Sequence, residues 1–176
     1  MIDTLAKSVF HRIKNIMWSI SFDLRFLRTK SLMYIFNHFP NLYTLKSVKN
    51  IILRSAGMKV GNAYLVTPLY VGFAGNVYIG NGTFVNIGVH FEGNAKTEIG
   101  RECQIGPFCK FETTNHVGDN EEYLPIKVGD NVWMGAGCIL LPGVVIGDNT
   151  VVAAGTMVKG EIRGGIWGGV PARRIQ

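Results

Sequence analysis

The fold is decided by residues 128–158, which read VGDNVWMGAGCILLPGVVIGDNTVVAAGTMV. Apolar side chains recur at every sixth position of this stretch: Val128, Met134, Leu140, Ile146, Val152 and Val158. Four residues after each of the first five stands a small or short side chain: Val132, Cys138, Val144, Thr150 and Thr156. The alternative interpretation is an antiparallel β domain, but its strands alternate with a period of two and would not hold this six-residue phase.

The same phase extends towards the N-terminus with two interruptions. It is carried by two further runs: Ile79, Val85 and Phe91, then Ile99, Ile105 and Phe111. The small position is filled in these runs by Thr83, Val89, Cys103 and Cys109. The step between the two runs has two extra residues, and the step from Phe111 to Val128 has eleven. We interpret each hexad as a short strand and a corner, and three hexads as one coil of a triangular solenoid.

The glycine content indicates a chain with many tight corners. Glycine accounts for 22 of 176 residues, about one in eight, against roughly 7% on average. Glycine, Asn and Asp tolerate the backbone angles that such corners need. We therefore predict a solenoid of four to five coils over residues 60–160, with a loop at 112–127. A tail at 161–176 is predicted to leave the repeat.

Residues 1–59 have a different composition and are predicted to cap the open end of the solenoid. Mixed apolar and basic positions are compatible with helices at Asp3–Ile20, Leu24–Asn37 and Leu45–Ala56, the last one ended by Gly57. This segment holds ten Lys and Arg against two Asp and Glu, a net charge of +8. Residues 60–176 hold eight against ten, a net charge of −2, so the basic character belongs to the cap.

Two interpretations of the basic cap remain open. Its cations are interleaved with apolar residues, the cations being Arg12, Lys14, Arg25, Arg28 and Lys30, and the apolar residues Phe10, Ile13, Ile16, Trp18, Phe22, Phe26 and Leu27. Such a segment either lies on an anionic membrane at its inner face, or is a cap helix with a solvated basic face, which we favour. No apolar run approaches the roughly 18 residues of a membrane span. Three cysteines without a CxxC pair fit the reducing cytoplasm.

Several strings spread over most of the chain carry a resemblance to a known family: SLMY at 31–34, FN at 36–37, NGTFVN at 81–86, TNH at 114–116, GDNVWMG at 129–135, PGVVIGDN at 142–149 and GVPAR at 169–173. With them the chain resembles the hexapeptide-repeat acyltransferases, and among these the maltose, galactoside and nodulation-factor O-acetyltransferases and their polysaccharide-modifying relatives. The resemblance implies a left-handed parallel β-helix, although the general crossover rule favours the right hand. It also implies acetyl-CoA as co-substrate and a homotrimer with active sites between subunits. We expect no metal and no nucleic-acid partner.

Moving an acetyl group from a thioester to a hydroxyl needs a base for the hydroxyl proton. A neutral imidazole suits this task, and of the four histidines only His116 lies in the eleven-residue excursion from the solenoid. The resemblance implies the same residue as base, the alternative being a surface-loop histidine. It also implies that Asn86 contacts the acceptor or positions the histidine, unless Asn86 is only a corner residue. One flanking acid orients the imidazole, or all are solvated, which we favour: Glu112, Asp119, Glu121 and Glu122.

The tetrahedral intermediate needs hydrogen-bond donors for its oxyanion. The resemblance implies that these are backbone N–H groups just after the coil that contains tryptophan, at Gly135 or Ala136. Trp133 itself would line the groove near the acetyl group or the pantetheine arm. The alternative is that this indole only packs on a flank of the solenoid.

The resemblance also implies where coenzyme A binds. Small side chains and amide groups at Ala154, Gly155 and Thr156 would flank its pantetheine arm. The phosphates of the coenzyme call for cations. The implied cations are Lys159, Arg173 and Arg174, of which Lys159 lies one place off the family's threonine–lysine pair. The alternative for these cations is a solvated C-terminus.

One departure from the family concerns the acceptor. Sugar-acetylating relatives have an acidic residue in the N-terminal cap, whereas the corresponding position here is near Met17 and the nearest acid is Asp23. We predict an acetyl-CoA-dependent O-acetyltransferase acting directly on a sugar hydroxyl of a surface polysaccharide (capsule, O-antigen or exopolysaccharide), lipid-linked if the cap binds membrane. The alternatives are a streptogramin- or chloramphenicol-type antibiotic acetyltransferase, a γ-type carbonic anhydrase and a non-catalytic scaffold. A γ-type carbonic anhydrase needs three histidine ligands for zinc, whereas only His90 and His116 lie in the solenoid here.

Overall fold

The structure is a computed structural model that describes residues 2–117 and 120–175, with all their side chains except those of residues 2–12, Phe22, Arg25 and Val117. The cap contains two helices, α1 (Ile2–Asn37) and α2 (Lys46–Ala56), with a 3-10 turn at Tyr43–Leu45 between them. The two helices predicted within residues 3–37 are one continuous helix, because no proline or glycine at 21–23 interrupts it. Gly57 ends α2 with φ 114°, as predicted.

Short strands follow the cap and wind into coils of three. The first three coils are β1 (Lys59–Val60), β2 (Tyr64–Leu65), β3 (Tyr70–Val71); β4 (Val77–Ile79), β5 (Phe84–Val85), β6 (His90–Phe91); and β7 (Thr97–Ile99), β8 (Gln104–Ile105), β9 (Lys110–Phe111). A hairpin comes next, formed by β10 (Thr114–Val117) and β11 (Asn120–Tyr123). Two more coils are β12 (Ile126–Val128), β13 (Trp133–Met134), β14 (Ile139–Leu140); and β15 (Val145–Ile146), β16 (Thr150–Val152), β17 (Met157–Val158). The chain ends with β18 (Glu161–Ile162), β19 (Gly165–Gly168) and β20 (Arg173–Arg174).

Strands of successive coils stack in parallel and form the three faces of a prism. Face A contains β1, β4, β7, β12, β15 and β18, face B contains β2, β5, β8, β13, β16 and β19, and face C contains β3, β6, β9, β14 and β17. The coils are in register, so that Val128 lies beside Ile99 and Ile146. We call the row of corners after the face B strands the B–C edge, and the row after the face C strands the C–A edge. This is the parallel β-helix that was predicted.

The six-residue phase forms the interior of the prism, as predicted. The six apolar side chains from Val128 to Val158 are at most 2% exposed, and the five small ones between them at most 1%. Phe91 and Phe111 stack in successive coils with ring centroids 4.7 Å apart. Full burial of such a side chain contributes about 1.5–3 kcal/mol, and each coil obtains it only by stacking on its neighbours.

The solenoid begins within one residue of the predicted start and is longer than predicted at its C-terminal end. Its first coil begins at Lys59 and lacks the strict phase, yet Val60, Leu65 and Val71 fill its interior. Beyond residue 160, β18 and β19 continue faces A and B in parallel, and only β20 runs antiparallel. Because backbone pairing does not require the hexad side chains, the tail predicted at 161–176 begins as a sixth, incomplete coil.

Asparagine side chains and a small apolar cluster fasten the cap to the first coil. Asn37 donates from Nδ2 to the carbonyl of Leu69 at 3.0 Å and accepts the Leu69 N–H at 2.8 Å. Asn50 donates from Nδ2 to the carbonyl of Ala63 at 2.9 Å. Beneath them lie four buried side chains, Met33, Phe36, Leu53 and Ala56. No helix in the described ranges is long and apolar enough to cross a membrane.

Candidate active site

The eleven-residue insertion forms the hairpin β10–β11 at the C–A edge. Its two strands pair antiparallel and place His116 opposite Glu121. The segment predicted as a loop at 112–127 is therefore largely held by backbone hydrogen bonds. The His116 side chain is 69% exposed. The imidazole thus stands clear of the solenoid, where it can meet a molecule bound outside the prism.

A single carboxylate anchors the base of the hairpin. Glu92, which follows β6, accepts the backbone N–H groups of Thr113 and Thr114 at 2.6 and 2.8 Å. It also accepts their hydroxyl groups at 2.9 and 2.6 Å. Burial alone would raise the pKa of Glu92, but these four hydrogen bonds outweigh it and hold the pKa below its ordinary value. The anion therefore fixes the chain two residues before His116.

Sequence reasoning missed Glu92. Its signal was its place in the two-residue insertion between Phe91 and Ile99, one coil before the hairpin leaves the prism. An acid at such an irregular corner can bind donors that the neighbouring irregular corner leaves without strand partners. Here those donors belong to the first residues of the hairpin.

The hairpin also brings one carboxylate to the imidazole. Glu121 Oε1 lies 3.6 Å from His116 Nδ1. The same carboxylate accepts a hydrogen bond from the hydroxyl group of Tyr123. This bond and the nearby negative charge raise the pKa of Tyr123. Tyr123 and the hairpin register therefore hold Glu121 beside the histidine.

The other three acids flanking the hairpin have different surroundings. Glu112 faces His90, with 3.5 Å between Oε1 and Nδ1. Glu122 is exposed and pairs with Asn115 in the hairpin ladder. Asp119 lies outside the described residues. Glu112 and Glu121 therefore each face an imidazole, although their side chains remain 31% and 52% exposed, and the orienting role stays a prediction. The two acids were not separable from sequence because only the fold shows which imidazole each one faces.

Asn86 and the predicted oxyanion donors lie on the B–C edge. Asn86 Oδ1 accepts the N–H of Ile87 at 2.7 Å, a contact typical of a corner asparagine. The expectation that Gly135 supplies a donor is wrong, since its N–H donates to the carbonyl of Val152 at 2.8 Å in the ladder between coils. The Ala136 N–H donates to no acceptor within the described part of the chain and lies at an exposed corner. Ala136 is therefore the available donor.

Two of the three residues predicted to flank pantetheine also lie on the B–C edge. Ala154 and Gly155 are exposed one coil beyond Ala136, and a Cβ added at Gly155 would meet no atom within 4 Å. Thr156 does not join them, because its side chain is fully buried in the prism and only its backbone lies near the edge. Trp133 is 53% exposed on face B, beside the edge, so its predicted role in the groove remains a prediction.

The C-terminal tail closes the row. Met157 donates its N–H to the carbonyl of Gly169 at 3.1 Å, and its own carbonyl accepts the Ala172 N–H at 2.8 Å. These bonds bring the tail to the last corner of the B–C edge. Arg173 and Arg174 follow directly, and both are exposed. The edge therefore ends in two cations.

The predicted site residues fall on two different edges of one chain. His116 and Lys159 leave the prism at the C–A edge, after β9 and β17, whereas Asn86, Ala136 and Arg173 belong to the B–C edge. The edges are separated by face C, about five residues or roughly 16 Å at 3.3 Å per residue. Among the described residues no hydrogen bond or ion pair joins His116 to Asn86 or Ala136. Within one chain, the predicted base is therefore separated from the predicted oxyanion donor on the B–C edge.

The three cysteines lie inside the prism and are free. The thiol of Cys103 donates to the carbonyl of Gly129 at 3.0 Å, and that of Cys109 to the carbonyl of Gly135 at 3.1 Å. Burial raises the pKa of Cys103, and a hydrogen bond with Cys138 together with burial raises that of Cys109. Thiols held in this way do not reach a thioester outside. Within residues 2–117 and 120–175, no group of three His, Cys, Asp or Glu side chains is placed to hold a metal ion.

Comparison with known proteins relates the chain to acetyltransferases. Residues 125–160 match the family described as bacterial transferase hexapeptide (six repeats). The chain is 33% identical over 159 residues to galactoside O-acetyltransferase of Escherichia coli strain K12, over 85% of this chain and 77% of the relative. A hexapeptide-repeat acetyltransferase from Vibrio cholerae, complexed with acetyl coenzyme A, matches with a TM-score of 0.80 at 26% identity, over 88% of this chain and 87% of that one. A galactoside acetyltransferase in complex with coenzyme A matches with a TM-score of 0.79 at 30% identity, over 88% and 80%.

A parallel prism of hexads with an inserted histidine hairpin defines a hexapeptide-repeat acyltransferase. The chain belongs to the hexapeptide-repeat O-acetyltransferase family, together with the galactoside enzyme. The resemblance seen in the sequence is thereby confirmed, including the left-handed coil and the enzyme class. The interpretations as a carbonic anhydrase or a non-catalytic scaffold are set aside by this membership.

Proposed function

We propose that this enzyme transfers an acetyl group from acetyl-CoA to a sugar hydroxyl during surface polysaccharide synthesis in the cytoplasm. The observation that carries the proposal is an anchored, exposed histidine in a chain whose B–C edge has an N–H at Ala136 that no described residue accepts, and cations at its end. A relative named galactoside O-acetyltransferase supports a sugar as the acceptor, and a structural relative solved with acetyl coenzyme A supports acetyl-CoA as the donor. Three free buried thiols support a reducing compartment.

In the proposed mechanism His116 acts from its Nε2 atom. Glu121, on the Nδ1 side, favours the tautomer with the proton on Nδ1 and leaves Nε2 to take the proton of the sugar hydroxyl. The hydroxyl oxygen then bonds to the thioester carbonyl carbon, and the Ala136 N–H stabilises the resulting oxyanion. When the carbon–sulfur bond breaks, His116 returns the proton to the leaving thiolate. The products are the sugar acetate and coenzyme A.

The B–C edge has the shape that a coenzyme A arm requires. Successive coils are about 4.8 Å apart, so the edge spans about 19 Å from Asn86 in the second coil to the tail in the sixth. Side chains along it are small at Ala136 and Ala154, and the space at Gly155 is open. We assign Arg173 and Arg174 to the phosphate groups, because guanidinium groups bind phosphate in a bidentate manner.

The separation of the two edges supports a homotrimer with shared active sites. A ring forms when one edge of each copy meets a different edge of the next copy, which is a heterologous interface. We propose that the C–A edge of one copy, with His116 and Lys159, meets the B–C edge of the next copy. The start of the hairpin and Lys159 lie two coils apart, as do Ala136 and the tail. His116 of one copy would therefore face Ala136 of the next copy, while Lys159 would face the phosphates of coenzyme A. The neighbour would also cover the exposed imidazole.

The acceptor is proposed to lie at the cap end of this groove. There a cavity of about 380 Å³ between α1 and face C is lined by Tyr34, Asn37, Tyr70 and His90. Aromatic rings with a few polar groups are a lining that suits sugars. None of the residues that line this cavity is acidic, and the cap has no acid at the position near Met17 where sugar-acetylating relatives carry one. We therefore propose an acceptor other than a simple galactoside or maltose.

Replacing Glu121 with glutamine is expected to lower kcat about tenfold and leave the KM for acetyl-CoA unchanged, because the imidazole loses its orienting carboxylate. The measurement is steady-state coenzyme A release at saturating acceptor. Glu122→Gln is the matched control, since it makes the same change on the next residue of the hairpin. Equal kcat values for the two variants would remove Glu121 from the mechanism.

The acceptor class is tested by coenzyme A release from acetyl-CoA, followed with a thiol reagent over mono- and oligosaccharides, a streptogramin and chloramphenicol. We expect release that depends on a saccharide acceptor, with an O-acetyl ester in the product by mass spectrometry. Coenzyme A release with an antibiotic but with none of the saccharides would identify the antibiotic as the acceptor and contradict the proposed acceptor class. No coenzyme A release with any acceptor, together with no binding of acetyl-CoA in calorimetry, would contradict the proposed function itself.

A further inference from the structure

Helix α1 extends well beyond the part of it that caps the solenoid. Its 36 residues correspond to a rod of about 54 Å at 1.5 Å per residue. Contact with the rest of the chain is made near its C-terminal end, where Thr29, Met33 and Phe36 are buried. Residues 13–21, 23, 24 and 26–28 are all exposed. Among the described side chains of α1, the cap function therefore accounts only for those in its last part.

The exposed part of α1 carries a continuous apolar stripe. Ile13, Ile16, Ile20, Leu24 and Leu27 are 50%, 59%, 53%, 62% and 62% exposed. Their spacing of three and four residues places them on one side of the helix. At 100° per residue this side is roughly opposite the side that carries Thr29, Met33 and Phe36. The stripe therefore faces away from the solenoid, and nothing in the described chain covers it.

Cations accompany this stripe. Residues 1–30 contain six Lys and Arg against two Asp, a net charge of +4. By helical spacing, Lys30 stands on one flank of the stripe, beside Asp23, and Lys14 stands farther round the helix on the other side. The guanidinium group of Arg28 instead lies beside Gly57 at the end of α2. A second copy of the helix would bring like charges together, whereas an anionic lipid surface complements them. A wide apolar stripe with lysine and arginine on its flanks is the pattern of a helix that lies in a membrane interface.

We propose that the outward face of α1 binds an anionic membrane surface. The apolar stripe enters the boundary between headgroups and acyl chains, and the flanking cations contact lipid phosphates. This is a peripheral contact, since no described helix is fit to span a bilayer. This contact would bring the enzyme to acceptors carried on lipids, a role that rests on the proposed function.

The test is co-sedimentation of the full chain with vesicles of phosphatidylcholine containing phosphatidylglycerol, compared with phosphatidylcholine alone. We expect binding to the anionic vesicles only. The double variant Ile16→Ser with Ile20→Ser is expected to bind at least about tenfold more weakly, as two apolar side chains are lost from the buried stripe. Lys14→Gln is expected to bind about fivefold more weakly. Val48→Ser with Ile51→Ser, which changes two exposed apolar residues of α2, is the control and should bind like wild type.

Three outcomes would overturn the proposal: no binding of wild type to anionic vesicles, equal binding to phosphatidylcholine alone, or wild-type binding by the stripe variant. A lower particle mass of the stripe variant in light scattering without vesicles would instead make the stripe a contact between copies, which also overturns it. Coenzyme A release with a soluble acceptor separates this proposal from the enzymatic one. The stripe variant is expected to retain that activity, because none of its changes touches the described site.

Discussion

Replacing His116 with alanine is expected to lower kcat for acetyl transfer by about 10²–10⁴, the usual loss when a general base is removed. This corresponds to about 2.7–5.5 kcal/mol of activation free energy. The side chain is 69% exposed and makes no contact that the hairpin needs for its backbone pairing. The variant should therefore fold and bind acetyl-CoA normally, so that the loss appears in kcat and not in KM.

The control for this prediction is Asn120→Ala. Asn120 is also exposed and lies in the same hairpin, where its backbone pairs with that of Val117. Coenzyme A release should be measured for both variants at saturating acceptor, with circular dichroism as a check of folding. A His116→Ala enzyme that works at the wild-type rate would show that another group accepts the proton.

The second large effect is expected for Glu92→Gln, which should lower kcat by about 10–100-fold without contacting substrate. The carboxylate accepts four hydrogen bonds from Thr113 and Thr114, and hydrogen bonds to a charged group contribute about 1.5–3 kcal/mol each. A carboxamide offers one acceptor oxygen and turns an NH₂ group towards the remaining donors. The hairpin base should loosen, and His116 should lose its fixed position. Small displacements of that kind cost up to about 10² in rate.

Hydrogen exchange distinguishes this positioning role from a general loss of stability. The amide protons of Thr113 and Thr114 should exchange much faster in Glu92→Gln, while amides of the coils remain protected. Glu98→Gln is the matched control, because Glu98 is a half-buried acid on face A that pairs with Lys96. Unchanged protection at Thr113 and Thr114 would contradict the anchoring role.

The anchor also has a defined dependence on pH. Hydrogen bonding lowers the folded-state pKa of Glu92, so its contribution is complete above the unfolded carboxyl value of about 4.3. It is lost as the pH falls through the lower folded-state value. The protection difference between wild type and Glu92→Gln should therefore be present at neutral pH and shrink as the pH falls below the unfolded value of about 4.3.

The interior of the prism was predictable because its signal is periodic. Residues such as Met134 and Leu140 recur at a fixed phase, and each one is buried against its equivalents in the adjacent coils. The exposed position of His116 was predictable because it lies in a long excursion from a regular repeat, where its imidazole has no packing role. The first coil lies within the predicted range of 60–160, but its strands are defined by backbone pairing and not by the six-residue phase, which it lacks.

The rest of the site depends on hydrogen bonds that leave no residue-type signature. Gly135 and Ala136 are adjacent small residues, yet one N–H is used in the ladder between coils and the other is free among the described residues. Glu121 and Glu122 are adjacent acids, and only the hairpin register decides which one faces His116. The placement of His116 and Ala136 on separate edges likewise follows from the winding of the coils.

The central claim is that His116 of one copy serves the B–C edge of the next, and subunit complementation tests it directly. His116→Ala and Ala154→Trp, which blocks the edge, should each be inactive alone. In trimers assembled at random from equal amounts of both, three quarters are mixed, and each mixed ring holds one intact site of three. The expected activity is therefore about one quarter of wild type. Activity no higher than that of the separate variants would place base and edge in one subunit and contradict the claim.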